Sequence, residues 1–280
     1  MTAQPALQLF EGRPEALEPR DLADLALAVE ALERTTLVAR LSAIAGRQVD
    51  LAGRFVPERF SAIARGASTL AIRAALHAAL RSLERRPVAP GADKRSRLIH
   101  KGLAAAAGAA GGVFGLAGLA VELPVSTTLM LRSIADIARR AGEDLRDPEA
   151  ALACLEVFAL GGKPGRDGAE AGYFAIRGAL AKSVSEAARF VLQRRVIDET
   201  APALVRFVAQ IAARFGVVVS QKLAAQAVPV LGALGGAGLN YAFAGHFQKL
   251  AHGHFTVRRL ERRYGQLLVR EHYERLAKGV

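Results

Sequence analysis

Residues 102–131, GLAAAAGAAGGVFGLAGLAVELPVSTTLML, hold one charged side chain in thirty positions, Glu122, with Pro124 two residues on. A second stretch, Leu223 to Gly245, LAAQAVPVLGALGGAGLNYAFAG, holds none and is interrupted by Pro229. Uncharged runs of this length either touch a bilayer, where a spanning helix needs about 20 apolar residues, or pack inside a folded domain. Ala and Gly contribute little transfer free energy compared with Leu or Ile. Arg95, Arg97 and Lys101 precede the first stretch, and Arg132, Arg139 and Arg140 follow it. A crossing helix carries its Lys/Arg excess on one side. Both facts oppose simple spanning and leave burial, a re-entrant hairpin or a surface-lying segment. Glycines four apart, as in Gly108/Gly112, Gly111/Gly115 and Gly232/Gly236, let helices approach closely.

The rest of the chain reads as helix. Ala, Leu and Gly dominate, Trp is absent, and no alternating pattern flanks an Asn-Gly or Asp-Gly turn, so the expected fold class is all-α. The expected architecture is a flexible arm over residues 1–20 and one helical domain over 21–280. In it the two Gly/Ala-rich segments pack centrally among amphipathic helices. Leu22, Leu25, Val29, Leu32 and Thr36 share one face of a helix over Asp21–Ala45. Pro57 opens a helix running to about Arg86, with Ile63, Leu70, His77 and Leu80 near its apolar side. A helix resumes after Pro124 and ends near Gly142. Ser126, Thr127 and Thr128 are placed to cap its start, and Asp136 to pair with Arg132 or Arg140. Asp147-Pro148 reads as an N-cap with proline at the first helical position. Further helices run from about Glu170, from Pro202 to Val228, and from Gly245 almost to the C-terminus.

Charge is unevenly placed along the chain. The net charge is +12, yet residues 1–50 carry 5 basic and 8 acidic side chains, while 51–101 and 201–280 each carry 11 basic and 3 acidic. A basic collar beside an apolar segment suits anionic lipid headgroups. The expected lipid contacts are Arg95, Arg97 and Lys101 in the first block and Arg258, Arg259, Arg262 and Arg263 in the second. The basic runs lack interleaved aromatics and match no nucleic-acid-binding pattern, so no nucleic-acid partner is expected. The N-terminus has no basic region followed by an apolar core, so the chain is read as not secreted, and the expected location is the cytoplasmic face of the membrane.

Tests for chemistry return little. There is no GxxxxGK[ST] phosphate loop, GxSxG elbow or HExxH. Cys154 lies in the helical run ALACLEVFAL and reads as a buried thiol. His246, His252 and His254 on a continuous helix point about 80–240° apart, with the outer two about 12 Å apart along the axis, so they do not converge on a metal. No cofactor or catalytic residue is expected, and the chain reads as non-enzymatic. Glu122 is the sharpest single residue, since an acid in an apolar run is costly unless paired or solvated. It reads as an acceptor for backbone N–H groups freed by Pro124 or a mark of a helix end at the surface, or else as an ion or proton site or a latch to an arginine.

Several motifs together resemble one family of bacterial proteins, the EcsC family. They are Glu122-Leu123-Pro124 with Thr127, Phe158-Ala159-Leu160-Gly161-Gly162, Tyr173 with Arg177, Pro229 with Gly232, Asn240, and Arg258 to Tyr264-Gly265. The resemblance covers roughly residues 55–275. It implies an association with membrane transport and carries over no catalytic residues. With the readings above, the candidate functional or hinge positions are Glu122, Pro124, Thr127, Thr128, Asp136 and Asn240. Three functional readings follow: a membrane-associated accessory protein engaging anionic lipid or a membrane transport partner, a soluble helical protein with an apolar pocket for a hydrophobic ligand, and an enzyme centred on Glu122 and Asp136.

Overall fold

Glycine and proline punctuate this chain, and the observed helix ends follow them closely. The computed structural model describes residues 16–34, 37, 58–83, 115–161, 172–194, 201–226 and 235–279. Among these residues there are eight α-helices and no strand. They are α1 (Pro19–Val29), α2 (Glu58–Leu83), α3 (Gly115–Arg140), α4 (Pro148–Leu160), α5 (Tyr173–Arg194), α6 (Pro202–Gln226), α7 (Gly235–Tyr264) and α8 (Gln266–Lys278). A five-residue π-helical turn, Glu30–Arg34, extends α1. The fold is all-α, as the composition implies.

Local signals decide several of these ends. Asp147 caps α4 by accepting the Glu149 backbone N–H at 3.0 Å, and Pro148 fills the first turn. Past α3, Gly142 takes φ +84°, a left-handed conformation that L side chains rarely adopt. The C-terminal region departs from the single helix expected there. Gly265, at φ +91°, separates α7 from α8. At Pro124 the departure runs the other way, because α3 passes through it unbroken. The proline has no N–H for the Ala120 carbonyl. Ser126 and Thr128 do not cap a new helix; their hydroxyls donate back to the Leu123 and Pro124 carbonyls at 3.1 and 2.8 Å.

The helix buried on every side is α4, whose neighbours are α2, α3, α5, α6 and α7. Its ALACLEVFAL run is apolar apart from Glu156, and twelve of the helix's thirteen residues are buried. Cys154 is among them, with its thiol pKa pushed up to about 12 by burial. Phe158 of α4 meets Phe215 of α6 and Phe247 of α7, each at 5.2 Å between ring centroids. Phe243 continues the cluster, 5.2 Å from Phe247.

On α2 the buried face is made of small residues. Ala64, Ala67, Ser68, Ala71, Ala75 and Ala79 are buried, together with Ile72, Leu76 and Leu80. Ile63 and Leu70, expected near the apolar side, are 38% and 52% exposed. Alanine lets α2 approach both α3 and α6 closely, and that close packing turned the helix so that two larger residues face outward.

The N-terminal helix docks on α7 and α8. Leu25, Val29 and Leu32 are buried as the periodicity predicts. The approach needs Gly253, where a Cβ would sit 2.8 Å from Leu32 Cγ and 3.2 Å from the Ala28 carbonyl oxygen. Neither atom is the free end of a flexible chain. Gly253→Ala is expected to cost about 1–3 kcal/mol by overpacking, measured as a lower urea midpoint with faster amide exchange in α1. A loss below about 0.5 kcal/mol, the size of an ordinary surface change, would contradict this packing.

Candidate functional site: a buried charged triad between the uncharged stretches

Glu122, Lys222 and Asn240 come from three different helices, α3, α6 and α7, and meet in the interior. Lys222 Nζ donates to Glu122 Oε1 at 2.7 Å, and Asn240 Nδ2 donates to the same oxygen at 2.8 Å. The Lys222 side chain is fully buried and that of Glu122 is 5% exposed. Phe243 closes one flank, with Lys222 Nζ 5.1 Å from its ring centroid, a cation–π distance. Burial lowers the Lys222 pKa below the usual lysine range, while the charge and hydrogen bond of Glu122 oppose that shift.

This triad joins the two uncharged stretches, since Glu122 lies in the first and Asn240 in the second. Glu122 is therefore a latch, with a lysine and an amide as partners where an arginine or freed backbone groups were expected. Lys222 was missed because it borders the second stretch by one residue. The signal lay in the cost of a lone buried acid, which requires a cation from elsewhere in the chain. Chemically, an amine held low in pKa can act as a nucleophile or base. Here Glu122 holds it at 2.7 Å, so that it links α6 to α3.

The other candidate positions distribute as follows. Pro124 and Thr128 lie on α3 two and six residues beyond Glu122, joined by the hydroxyl-to-carbonyl bond described above. Thr127 is fully buried, and its hydroxyl lacks a hydrogen-bond partner among the described residues. Asp136 pairs with Arg139 at 2.8 Å, at i+3 spacing near the surface. Fourteen residues of one continuous helix separate Glu122 from Asp136, about 21 Å along the axis, so they do not form one catalytic centre.

A second buried cluster joins α4, α5, α7 and α8. Tyr173 Oη lies 3.0 Å from His254 Nδ1, and Arg177 reaches Glu261 at 2.8 Å. Tyr273 donates to Glu33 at 2.7 Å, which also accepts the Tyr173 backbone N–H at 2.9 Å. Glu156 is 5% exposed, and burial pushes its pKa up to about 7, against the pull of Arg177 and Arg258. His254 Nε2 approaches Glu156 Oε2 at 3.9 Å. Burial and the charges of Arg177 and Arg258 hold His254 well below its ordinary range. The contact is thus between a neutral imidazole and an acid, not an ion pair. Among the described residues, no cluster of His, Cys, Asp or Glu could hold a metal ion.

The arginines expected to meet lipid at the C-terminal end face acids of the same chain. Arg258 donates to Glu143 at 2.8 Å, and Arg262 binds the same carboxylate. Burial pulls the Glu143 pKa up, but the two arginines outweigh it and hold the carboxyl below its ordinary range. Arg259 reaches Asp24 at 2.7 Å. Arg263 reaches Asp21 at 2.8 Å and also Glu18. The acidic N-terminus is the counter-charge of the basic C-terminus. Arg95, Arg97 and Lys101 lie outside the described residues.

Comparison with known proteins adds one finding. The model of the EcsC protein family matches residues 42–260, most of the chain and the whole of the triad. No curated protein and no solved structure gives a significant match. The matched region spans the helices that build the site, from α2 to nearly the end of α7, and this chain belongs to the EcsC protein family.

Proposed function

We propose that this protein is a non-catalytic, membrane-associated accessory protein that lies against an anionic bilayer on its cytoplasmic face. The observation that carries the reading is the surface of α2 and α6, which pack side by side. Ile63 and Leu70 on α2, and Val205 and Val217 on α6, are each more than a third exposed. Arg65, Arg73, Arg81 and Arg206 are exposed on the same two helices. The only acid in either helix is Glu58, at the very start of α2. Arg206 does pair with Glu186 of α5 at 2.8 Å. Exposed apolar side chains among arginines, on helices almost free of acids, suit a headgroup layer.

The second helix has further support. Residues Pro202–Leu223 of α6 are long and apolar enough to cross a membrane, with mean hydropathy 1.6, but 56% of that window is buried inside the domain. A helix half committed to the core favours lying on a bilayer over crossing it. A membrane transport partner would meet the same face, in line with the association the family resemblance implies. Because Arg258, Arg259, Arg262 and Arg263 pair with acids of the same chain, the proposed contact is placed on α2 and α6.

Co-sedimentation with vesicles tests this reading. Binding is expected to vesicles containing anionic lipid, to weaken with salt, and to be absent for neutral vesicles. Arg73→Gln with Arg81→Gln is expected to weaken it about tenfold or more, at about 1 kcal/mol per basic residue near the surface. No binding to anionic vesicles at low salt would sink the proposal.

A further inference from the structure

The two uncharged stretches meet where α3 and α7 run side by side. The helices are parallel, since Glu122 and Ser133 of α3 bond to Asn240 and Gln248 of α7 in the same order. Glu122 and Asn240 face each other across the pair. A turn of about 100° per residue then sends Val125 and Tyr241 to one side of the pair, within about 20° of each other. Arg132, about 280° on from Glu122 by the same count, points the same way. That side is outward: Val125 and Tyr241 are each 47% exposed and Arg132 is exposed, while Leu123, Met130, Leu239 and Phe243 are buried.

Exposed charge is absent from this end of the pair. Within α3 the only charged side chain before Arg132 is the buried Glu122, and α7 has no Lys, Arg, Asp or Glu before Lys249. The bond between Ser133 and Gln248 puts their neighbours Arg132 and Lys249 at one level along the axis. Lys249 there meets Glu30 of α1 at 3.5 Å, and further along α3 Asp136 pairs with Arg139. From that level back to Val125 is about 10 Å of α3, and back to Tyr241 about 12 Å of α7. The outward side is therefore a charge-free tip with an aliphatic and an aromatic side chain, followed by a level at which exposed charge begins.

This order suits one occupant. An interfacial segment buries its apolar side chains about 5–10 Å into the boundary between head groups and acyl chains. Tyrosine collects at that boundary, and a basic residue above it meets anionic head groups. A partner helix in a groove requires apolar anchors at successive turns, and along α3 Arg132 stands two turns from Val125, where such an anchor belongs. On its flanks α3 packs against α7 and α2, so the tip continues the α2–α6 surface.

We propose that the α3–α7 tip is the part of the molecule that enters the bilayer, with Val125 and Tyr241 below the head groups and Arg132 among them. The proposal rests on the bilayer reading above and names the penetrating element. Behind the tip, the triad of Glu122, Lys222 and Asn240 ties together the helices that form it.

The chain has no tryptophan, so a single introduced one reports without background. Val125→Trp and Tyr241→Trp are each bound to phosphatidylcholine vesicles containing phosphatidylglycerol, with and without bromine on the acyl chains. Bromine is expected to lower their emission at least twofold, and binding to shift it to the blue. The end of α7 lies about 35 Å along the axis from Tyr241. Just beyond it, exposed Leu267 gives the control Leu267→Trp, whose emission is expected to stay unquenched. In the tryptophan-free chain, Val125→Glu is expected to weaken vesicle sedimentation at least tenfold, with the thermal midpoint retained. Quenching of Leu70→Trp on α2, with none of Val125→Trp or Tyr241→Trp, would overturn the tip and leave the α2–α6 contact standing. No sedimentation of the unmodified chain with anionic vesicles would overturn both. A lipid-free blue shift of Val125→Trp that grows with protein concentration would assign the tip to a second copy of the chain and overturn the proposal as well.

Discussion

Glu122→Ala is expected to destabilise the protein by about 3–5 kcal/mol, the cost of leaving one partner of a buried ion pair uncompensated. The reason is Lys222, which has no exposed side-chain surface and has Glu122 Oε1 at 2.7 Å. With the carboxylate gone, the ammonium must stay charged beside Phe243 or give up its proton, and either costs free energy. Lys222→Met is expected to be comparably harmful, because it strands the carboxylate with Asn240 as its remaining partner among these three. The double variant Glu122→Gln/Lys222→Met removes both charges, keeps an acceptor for Asn240, and is expected to recover most of the loss. Urea unfolding followed by helical circular dichroism measures the unmodified protein, Glu122→Gln, Lys222→Met and Glu122→Gln/Lys222→Met as a double-mutant cycle, with Glu122→Ala beside it. Additive losses in the double variant would show that the pair does not act as a unit, and a single-variant loss below about 1 kcal/mol would place it in the class of exposed pairs.

Glu156→Gln carries the second large effect, and it depends on pH. The Glu156 carboxyl has a folded-state pKa of about 7 against an ordinary 4.5, because burial disfavours its charge. Below pH 4.5 it is protonated whether the chain is folded or not. Between 4.5 and 7 the folded state keeps a proton that the unfolded state has released, so stability falls as pH rises through this window. Above 7 both states are ionised and the penalty is constant, about 3 kcal/mol for a shift of this size. Glutamine keeps the shape and has no charge to bury. The stability of Glu156→Gln relative to the unmodified protein is therefore expected to rise from pH 4.5 to pH 7 and to level off by pH 8. Urea midpoints at pH 4.5, 6 and 8 measure the difference, and parallel pH profiles for the two proteins would refute the buried charge. Burial and the charges of Arg177 and Arg258 hold His254 well below its ordinary range, which disfavours a compensating cation beside Glu156.

Both predictions concern residues whose roles were unequally visible in the sequence. Glu122 stood out as the one acid in an uncharged run, and the need for a partner followed from the cost of burying it. The identity of that partner did not follow, because Lys222 is 100 positions away and nothing local links the two. Glu156 was not singled out at all. In the run ALACLEVFAL it looks like a polar interruption on a helix surface, and its burial comes from α4 being enclosed by five other helices.

What the sequence determined by itself is local and steric. The helical class, the capped start of α4 at Asp147, the left-handed stop at Gly142 and the buried thiol of Cys154 all depend on residues within a turn or two, where backbone sterics and short hydrogen bonds act. Family membership was legible for a related reason, since its motifs are short and contiguous. The tertiary structure decided what depends on distant partners. It carried α3 through Pro124 because the residues just before it are fixed by packing, Leu123 fully buried and Glu122 bonded to two other helices. It turned Ile63 and Leu70 outward because close helix approach favours the alanines of α2. It joined the arginines of α7 to the acids of α1 and to Glu143, across more than 100 positions, which no helical periodicity encodes. The two uncharged stretches meet where Asn240 of one donates to Glu122 of the other, and Lys222, next to the second stretch, supplies the cation that a buried carboxylate needs.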